Sequence, residues 1–184
     1  MIAVIGLRSG TSLMMQTLKL LDVDVAGYAF HDDFSIRCLN PKGYYELPYK
    51  TFLGDIDWDE YSEKAIKLAG YTLAKTDEKY IDRVIWCRRN PEECIKSILK
   101  LITIDDRYSA YNKTIENAKM LYDINNHYVY DYFENNETPR LDVYYEEMVL
   151  FPEIAIEKVK SFLDIEADIE SAVNNVEKRG VLCQ

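Results

Sequence analysis

Cysteine and histidine are scarce in this chain. The 184 residues include four cysteines (Cys38, Cys87, Cys94, Cys183) and two histidines, and no two cysteines form a CxxC pair. A structural zinc site draws on clusters of such ligands at close spacing, so none is expected. No apolar run approaches the ~20 residues that cross a bilayer. The first strand-like segment begins at Met1, which leaves no room for a secretory leader. A cytoplasmic protein with reduced, mostly buried thiols is therefore expected, without membrane insertion. Basic residues are in deficit, 22 Lys and Arg against 32 Asp and Glu, for a net charge of −10. That balance argues against nucleic acid or an anionic membrane as partner. An anionic ligand would need a local cluster of Arg and backbone amides. The chain shows no repeat, low-complexity segment or linker, and its length suits one domain over residues 1–184.

Hydrophobic residues make up 48% and charged residues 29%, the composition of an ordinary globular protein. The fifteen tyrosines suit amphipathic packing at the edges of a core. Met1–Gly6 reads as a buried strand. Leu13, Met14, Leu18 and Leu21 then recur at helical spacing. Val84–Cys87 is a second buried strand, followed by Asn90 as N-cap and Pro91 as first helical residue. Leu141–Tyr145 is a third strand candidate. Helices are predicted over Asp57–Ala69, Pro91 to about Ile102, Tyr108–Glu134, Pro152–Leu163 and Ile169–Glu177, with a short strand at Thr72–Lys75. Residues 22–48 look irregular. Strands alternating with helices predict an α/β fold with a mostly parallel sheet.

Two segments point to phosphate chemistry. In Gly6-Leu7-Arg8-Ser9-Gly10-Thr11-Ser12 a strand ends in a glycine-containing turn and a helix follows. Amides at such a helix start, with the helix dipole, favour an anion. The segment is not a Walker A motif: three residues rather than four separate the glycines, and Thr11 stands where the lysine would be. Arg8 is the available cation. In the second segment, Arg89 lies at the carboxyl end of a strand, where α/β sheets bind ligands. Ser97 follows two helical turns later, off the apolar stripe of Ile95, Ile98 and Leu99. A guanidinium and a hydroxyl on one crevice could hold a second phosphate. The plainer readings are a capped βα turn and an Arg89 paired with Glu92 or Glu93.

Taken together, these segments resemble the sulfotransferases that use 3′-phosphoadenosine 5′-phosphosulfate (PAPS). Arg8–Ser12 is similar to their 5′ loop, and Arg89-Asn90-Pro91-Glu92-Glu93 with Ser97 to their 3′-phosphate motif. Asn40-Pro41-Lys42-Gly43-Tyr44-Tyr45-Glu46 and Tyr145-Glu146-Glu147-Met148-Val149 with Pro152 resemble two further segments of bacterial members. The resemblance runs from Met1 to about Leu163. It implies a three-layer P-loop-like fold with helices flanking the central sheet, PAPS as sulfate donor, and no metal. It also implies transfer of the sulfuryl group to a hydroxyl or amine acceptor by in-line displacement. The site residues it implies are Arg8, Ser9, Gly10, Thr11, Ser12, Arg89 and Ser97 for the donor, with Arg8 also stabilising charge on the leaving oxygen.

The acceptor must lose a proton. Glu46, closing the NPKGYYE segment, is the first choice of base, with Asp77 and His31 as alternatives. Lys75-Thr76-Asp77 resembles the K-T-H of animal members with Asp in place of the histidine, and the Gly-rich C-terminal segment of those enzymes is absent. Lys42 and Lys75 could lie near the sulfate. A sugar, a lipid head group, a peptide tyrosine and a small phenol or alcohol all remain open as acceptors. The residue that stacks on adenine and the oligomeric state remain open too. The competing readings are a small P-loop kinase of nucleotides or metabolites, and a relative that binds nucleotide without catalysis.

Overall fold

The computed structural model describes residues 1–29, 40, 42–47, 56–104 and 110–182, with side chains described to residue 176. Four parallel strands form the sheet: β1 (Ile2–Ile5), β2 (Ala65–Leu68), β3 (Arg83–Arg88) and β4 (Arg140–Tyr144). Their order is β2-β1-β3-β4. In register, Val4 lies between Lys67 and Ile85, and Cys87 lies beside Val143. The carboxyl ends of all four strands therefore share one edge, which fixes where a ligand can sit.

Strand alternation sorts the core into two halves. Val4, Ile85, Cys87 and Val143 face α1 (Thr11–Leu20) and its neighbours, burying Leu13, Met14 and Leu18. Ala3, Ile5, Ile66, Leu68, Val84 and Trp86 face the other way, onto α2 (Gly70–Lys75) and a long helix that buries Val129 and Tyr132. The result is helix, sheet and helix: the α/β fold with a parallel sheet that the sequence predicts, in the three layers that the resemblance implies.

The first helix, the three predicted strands and the Pro152 start lie where expected. Helix α3 (Pro91–Ile104) begins at Pro91, and Asn90 Oδ1 accepts the amides of Glu92 at 2.9 Å and Glu93 at 3.4 Å. The long helix α4 (Ile115–Asn135) starts later than predicted, where Thr114 caps the Asn117 amide. After β4 come α5 (Tyr145–Leu150), α6 (Pro152–Leu163) and α7 (Glu170–Leu182).

The segment between residues 57 and 75 departs from the reading. In place of a helix over Asp57–Ala69 there is a 3-10 turn at Trp58–Tyr61 and then strand β2. In place of a strand at Thr72–Lys75 there is helix α2. The apolar residues of β2 are broken by Lys67, so a four-residue strand imitates one face of a helix. Pairing with β1 decides the matter. Helix α2 forms because Leu73 is fully buried and Gly70 docks on α4. The Gly70 amide donates to Asn125 Oδ1 at 2.8 Å, and an added Cβ would lie 2.2 Å from the Asn125 carbonyl oxygen.

Candidate active site

The turn between β1 and α1 holds three residues in the left-handed region: Gly6 (φ 126°), Arg8 (φ 57°) and Gly10 (φ 97°). At Gly6 a Cβ would lie 2.2 Å from Ser9 Oγ and 2.4 Å from the Cys87 carbonyl oxygen, so only glycine fits. Arg8 has no such freedom, and holding it there costs on the order of 1 kcal/mol. Gly10 caps α1 without a side chain, and the first helical bond runs from the Met14 amide to the Gly10 carbonyl at 3.0 Å. The amides of the first turn, from Thr11 onward, thus remain available to an anion. Ser9 Oγ is buried and has no hydrogen-bond partner among the described residues. An orphaned buried hydroxyl inside such a turn suits a bound phosphate oxygen.

The fold joins the two segments in which the sequence suggests phosphate binding. Arg8 Nε donates to Ser97 Oγ at 2.9 Å, across 89 residues of sequence. The Arg89 guanidinium lies 4.7 Å from the ring centroid of Tyr145 and 3.7 Å from Glu93 Oε2, so the ion pair weighed against phosphate binding is also present. Tyr145 in turn covers the loop, since a Cβ on Gly10 would meet its ring at 2.7 Å. Glu146 Oε1 accepts the Asn90 amide at 3.0 Å, tying the start of α5 to the start of α3. Beside the loop lies a cavity of about 380 Å³, lined among others by Gly6, Ser9, Arg89, Tyr122, Asn126 and Glu146. Trp86, read as core from the sequence, is 3% exposed and lies at its base, with the Arg88 guanidinium 4.2 Å from its ring.

On the other side of the loop stands a residue that sequence reasoning missed. Lys67 Nζ donates to Ser12 Oγ at 3.1 Å, Glu46 Oε1 at 3.0 Å and the Tyr44 carbonyl at 3.3 Å. Its side chain is 16% exposed, whereas that of Glu46 is 43% exposed. Burial holds the Lys67 ammonium below its ordinary pKa, and Glu46 beside it opposes that shift. The signal was present in Ala65-Ile66-Lys67-Leu68: once this is a strand, alternation puts Lys67 on the α1 face with Ala65. Reading the segment as a helix hid it.

The other predicted groups lie elsewhere. Asp77 caps a 3-10 turn just before β3, at the amino edge of the sheet, and pairs with Lys79 at 3.1 Å. The carboxyl edge, with the loop, is opposite, so Asp77 is too far along the strand to act there. Lys75 has its ammonium 4.4 Å from the ring centroid of Tyr71 on α2. Lys42 Nζ donates to the Asn175 carbonyl on α7 at 2.5 Å. His31 lies outside the described residues. Cys87 and Cys94 are free thiols, pushed up by burial to about 12 and about 11, and thus protonated at neutral pH. A larger, open depression of about 980 Å³ lies between α6 and α7, but its lining includes Glu153, Glu157, Asp168 and Glu170. Carboxylates of that number repel an anion, so the smaller cavity beside the loop is the better site for one.

Comparison with solved structures supports the architecture. The chain superposes on a mouse sulfotransferase, SULT7A1, solved in complex with PAP, with a TM-score of 0.62 at 15% sequence identity. The match covers 97% of this chain and 62% of the mouse protein's. The chain has the sulfotransferase fold. It therefore spans less than two thirds of the length of that neighbour. No family profile and no curated protein matches the sequence itself.

Proposed function

We propose that the protein moves the sulfuryl group of PAPS to a hydroxyl or amine acceptor by in-line displacement. The observation that carries this reading is the 2.9 Å contact of Arg8 with Ser97, which joins a turn with open amides to the Arg89 segment at one strand edge. The sequence resemblance and the fold of the mouse enzyme support the same choice of donor.

The strand order divides the labour. The turn after β1 takes the 5′-phosphosulfate on the amides of Ser9–Ser12. Arg89 and Ser97, beside it on β3 and α3, take the 3′-phosphate, with the nucleoside in the cavity against α4. Lys67 and Glu46, on the β2 side, face the acceptor. As the acceptor oxygen or nitrogen bonds to sulfur, the bond from sulfur to the bridging oxygen breaks, and the 5′-phosphate leaves with that electron pair. Arg8 and Lys67 place positive charge near the oxygen on which charge grows, which lowers the barrier more than it stabilises the ground state. Glu46 accepts the proton lost by the acceptor. Lys67 in the β2 strand adds a second cation beside the loop, held by Ser12.

Acceptors remain hydroxyl or amine compounds small enough to reach Glu46. Two buried free thiols fit a cytoplasmic setting, and no described helix is long and apolar enough to cross a membrane.

A thermal-shift comparison tests the donor. Adenosine 3′,5′-bisphosphate should stabilise the protein, and ATP with Mg²⁺ should do so less at equal concentration. Transfer of labelled sulfate from PAPS to any member of an acceptor pool tests the reaction. Stronger stabilisation by ATP with Mg²⁺ would favour a kinase. Bisphosphate binding without transfer would indicate a non-catalytic relative.

A further inference from the structure

Gln16 has no part in the donor site, yet it is 4% exposed on the second turn of α1. Its Nε2 donates to the Gly43 carbonyl at 2.7 Å and approaches Asn40 Oδ1 at 3.4 Å. Asn40, also 4% exposed, donates its own Nδ2 to the same Gly43 carbonyl at 2.7 Å. The Gly43 amide returns to the Asn40 carbonyl at 3.0 Å. This turn admits only glycine at 43: φ is 101°, and a Cβ would lie 2.8 Å from the Ala29 carbonyl oxygen.

Helical spacing gives the arrangement its meaning. Gln16 is four residues after Ser12, so both lie on one face of α1. Ser12 holds Lys67, and Lys67 holds Glu46 and the Tyr44 carbonyl. Gln16 holds Gly43, three residues before Glu46. The contacts close a ring: α1 through Gln16 to Gly43, along the chain to Glu46, across to Lys67, and back to α1 through Ser12. The Gln16 link is a buried amide that acts on the backbone, and the buried Asn40 amide holds the same Gly43 carbonyl from the loop side.

We infer that Gln16 is a positioning residue: its amide, with that of Asn40, fixes the 42–47 segment against the phosphate-loop helix and so sets Glu46 against Lys67. Donor loop and acceptor-side carboxylate are thereby held on one helix. The inference rests on the sulfuryl-transfer reading for what Glu46 and Lys67 do, but the mechanical link does not depend on it.

Lysines labelled with carbon-13 at Cε report on the link in the full chain. Glu46, Arg8, Cys87 and Tyr44, whose ring centroid is 5.8 Å away, are titratable groups around Lys67, which is the buried lysine of this ring. Gln16→Met keeps the volume and removes the donors. Gln16→Glu keeps the shape and sets a carboxylate against the Gly43 carbonyl. In both variants the Lys67 resonance should leave its wild-type position, and its titration should move toward that of the exposed lysines. The affinity for adenosine 3′,5′-bisphosphate should change by less than roughly threefold, because the amides of the turn are untouched. Asn40→Ala, altered on the loop side only, should shift the same resonance. An unchanged Lys67 resonance in folded Gln16→Met or Asn40→Ala overturns the inference, as does a failure of both variants to fold, which would make the amides a folding element. Absence of bisphosphate binding in the wild type would count against the proposed donor alone, since the Lys67 signal is read without any ligand.

Discussion

Arg8 and Ser97 meet at 2.9 Å, although one lies in the first turn of the protein and the other two turns into α3. A guanidinium held by a neutral hydroxyl keeps its charge available and its direction fixed. Arg8 is then poised between the loop amides and the Arg89 segment, where a phosphosulfate would extend.

Removing that cation should separate binding from chemistry. Arg8→Ala should lower single-turnover sulfate transfer from labelled PAPS by about 10²–10³-fold, the usual cost of one group that stabilises developing charge. Bisphosphate affinity, read by calorimetry, should fall by a much smaller factor. Ser97→Ala should weaken bisphosphate binding by about 1 kcal/mol, one hydrogen bond's worth. Equal losses in rate and affinity for Arg8→Ala would place Arg8 in ground-state binding only.

Arg89 should distinguish nucleotides. Its guanidinium lies against Tyr145 and can turn from Glu93 to a phosphate. Arg89→Ala should weaken adenosine 3′,5′-bisphosphate by about 1.5–3 kcal/mol, as for a lost charged hydrogen bond. Adenosine 5′-phosphate should be affected far less. Calorimetry that finds both ligands as tight as in the wild type would show that the 3′-phosphate lies elsewhere.

The base assignment rests on which carboxylate stands at the carboxyl edge. Glu46→Gln should reduce transfer by about 10²–10⁴-fold, the range for a general base. Asp77→Asn should leave the rate intact, because Asp77 caps a turn at the opposite edge. The reverse pattern in steady-state assays would move the acceptor site to that end of the sheet.

Lys67 should trade stability for function. Burial outweighs its partner Glu46 and lowers its pKa, so the folded state holds this proton less tightly than the unfolded chain does. The unfolded chain then binds more protons in the alkaline range, and the penalty shrinks as pH rises toward 10.5, the ordinary lysine value. Glu46 is exposed enough to lose its partner without being stranded. Lys67→Met should therefore stabilise the fold by about 1 kcal/mol at pH 7 in urea unfolding, with the gain narrowing as pH rises. Transfer activity should be lost. A destabilised Lys67→Met would mean that the contacts to Ser12 and Tyr44 outweigh desolvation.

The amino-acid sequence by itself determined the parts whose physics is local. The Gly6–Ser12 turn, the Asn90-Pro91 helix start and the Pro152 start are written in local backbone preferences, with Asn90 alone adding a side-chain cap. The continuous apolar run Val84–Cys87 sufficed for a buried strand. Tertiary structure alone decided the rest. Lys67 reaches Ser12 and Glu46 only because β2 pairs with β1, and that pairing turned a predicted helix into a strand. Glu46 meets it across 21 residues, Ser12 across 55, and Gln16 reaches Gly43 across 27. Contacts of that span leave no periodic trace in the sequence. They arise when the sheet order sets β2 beside β1, bringing a lysine, a carboxylate and a buried amide to the same helix.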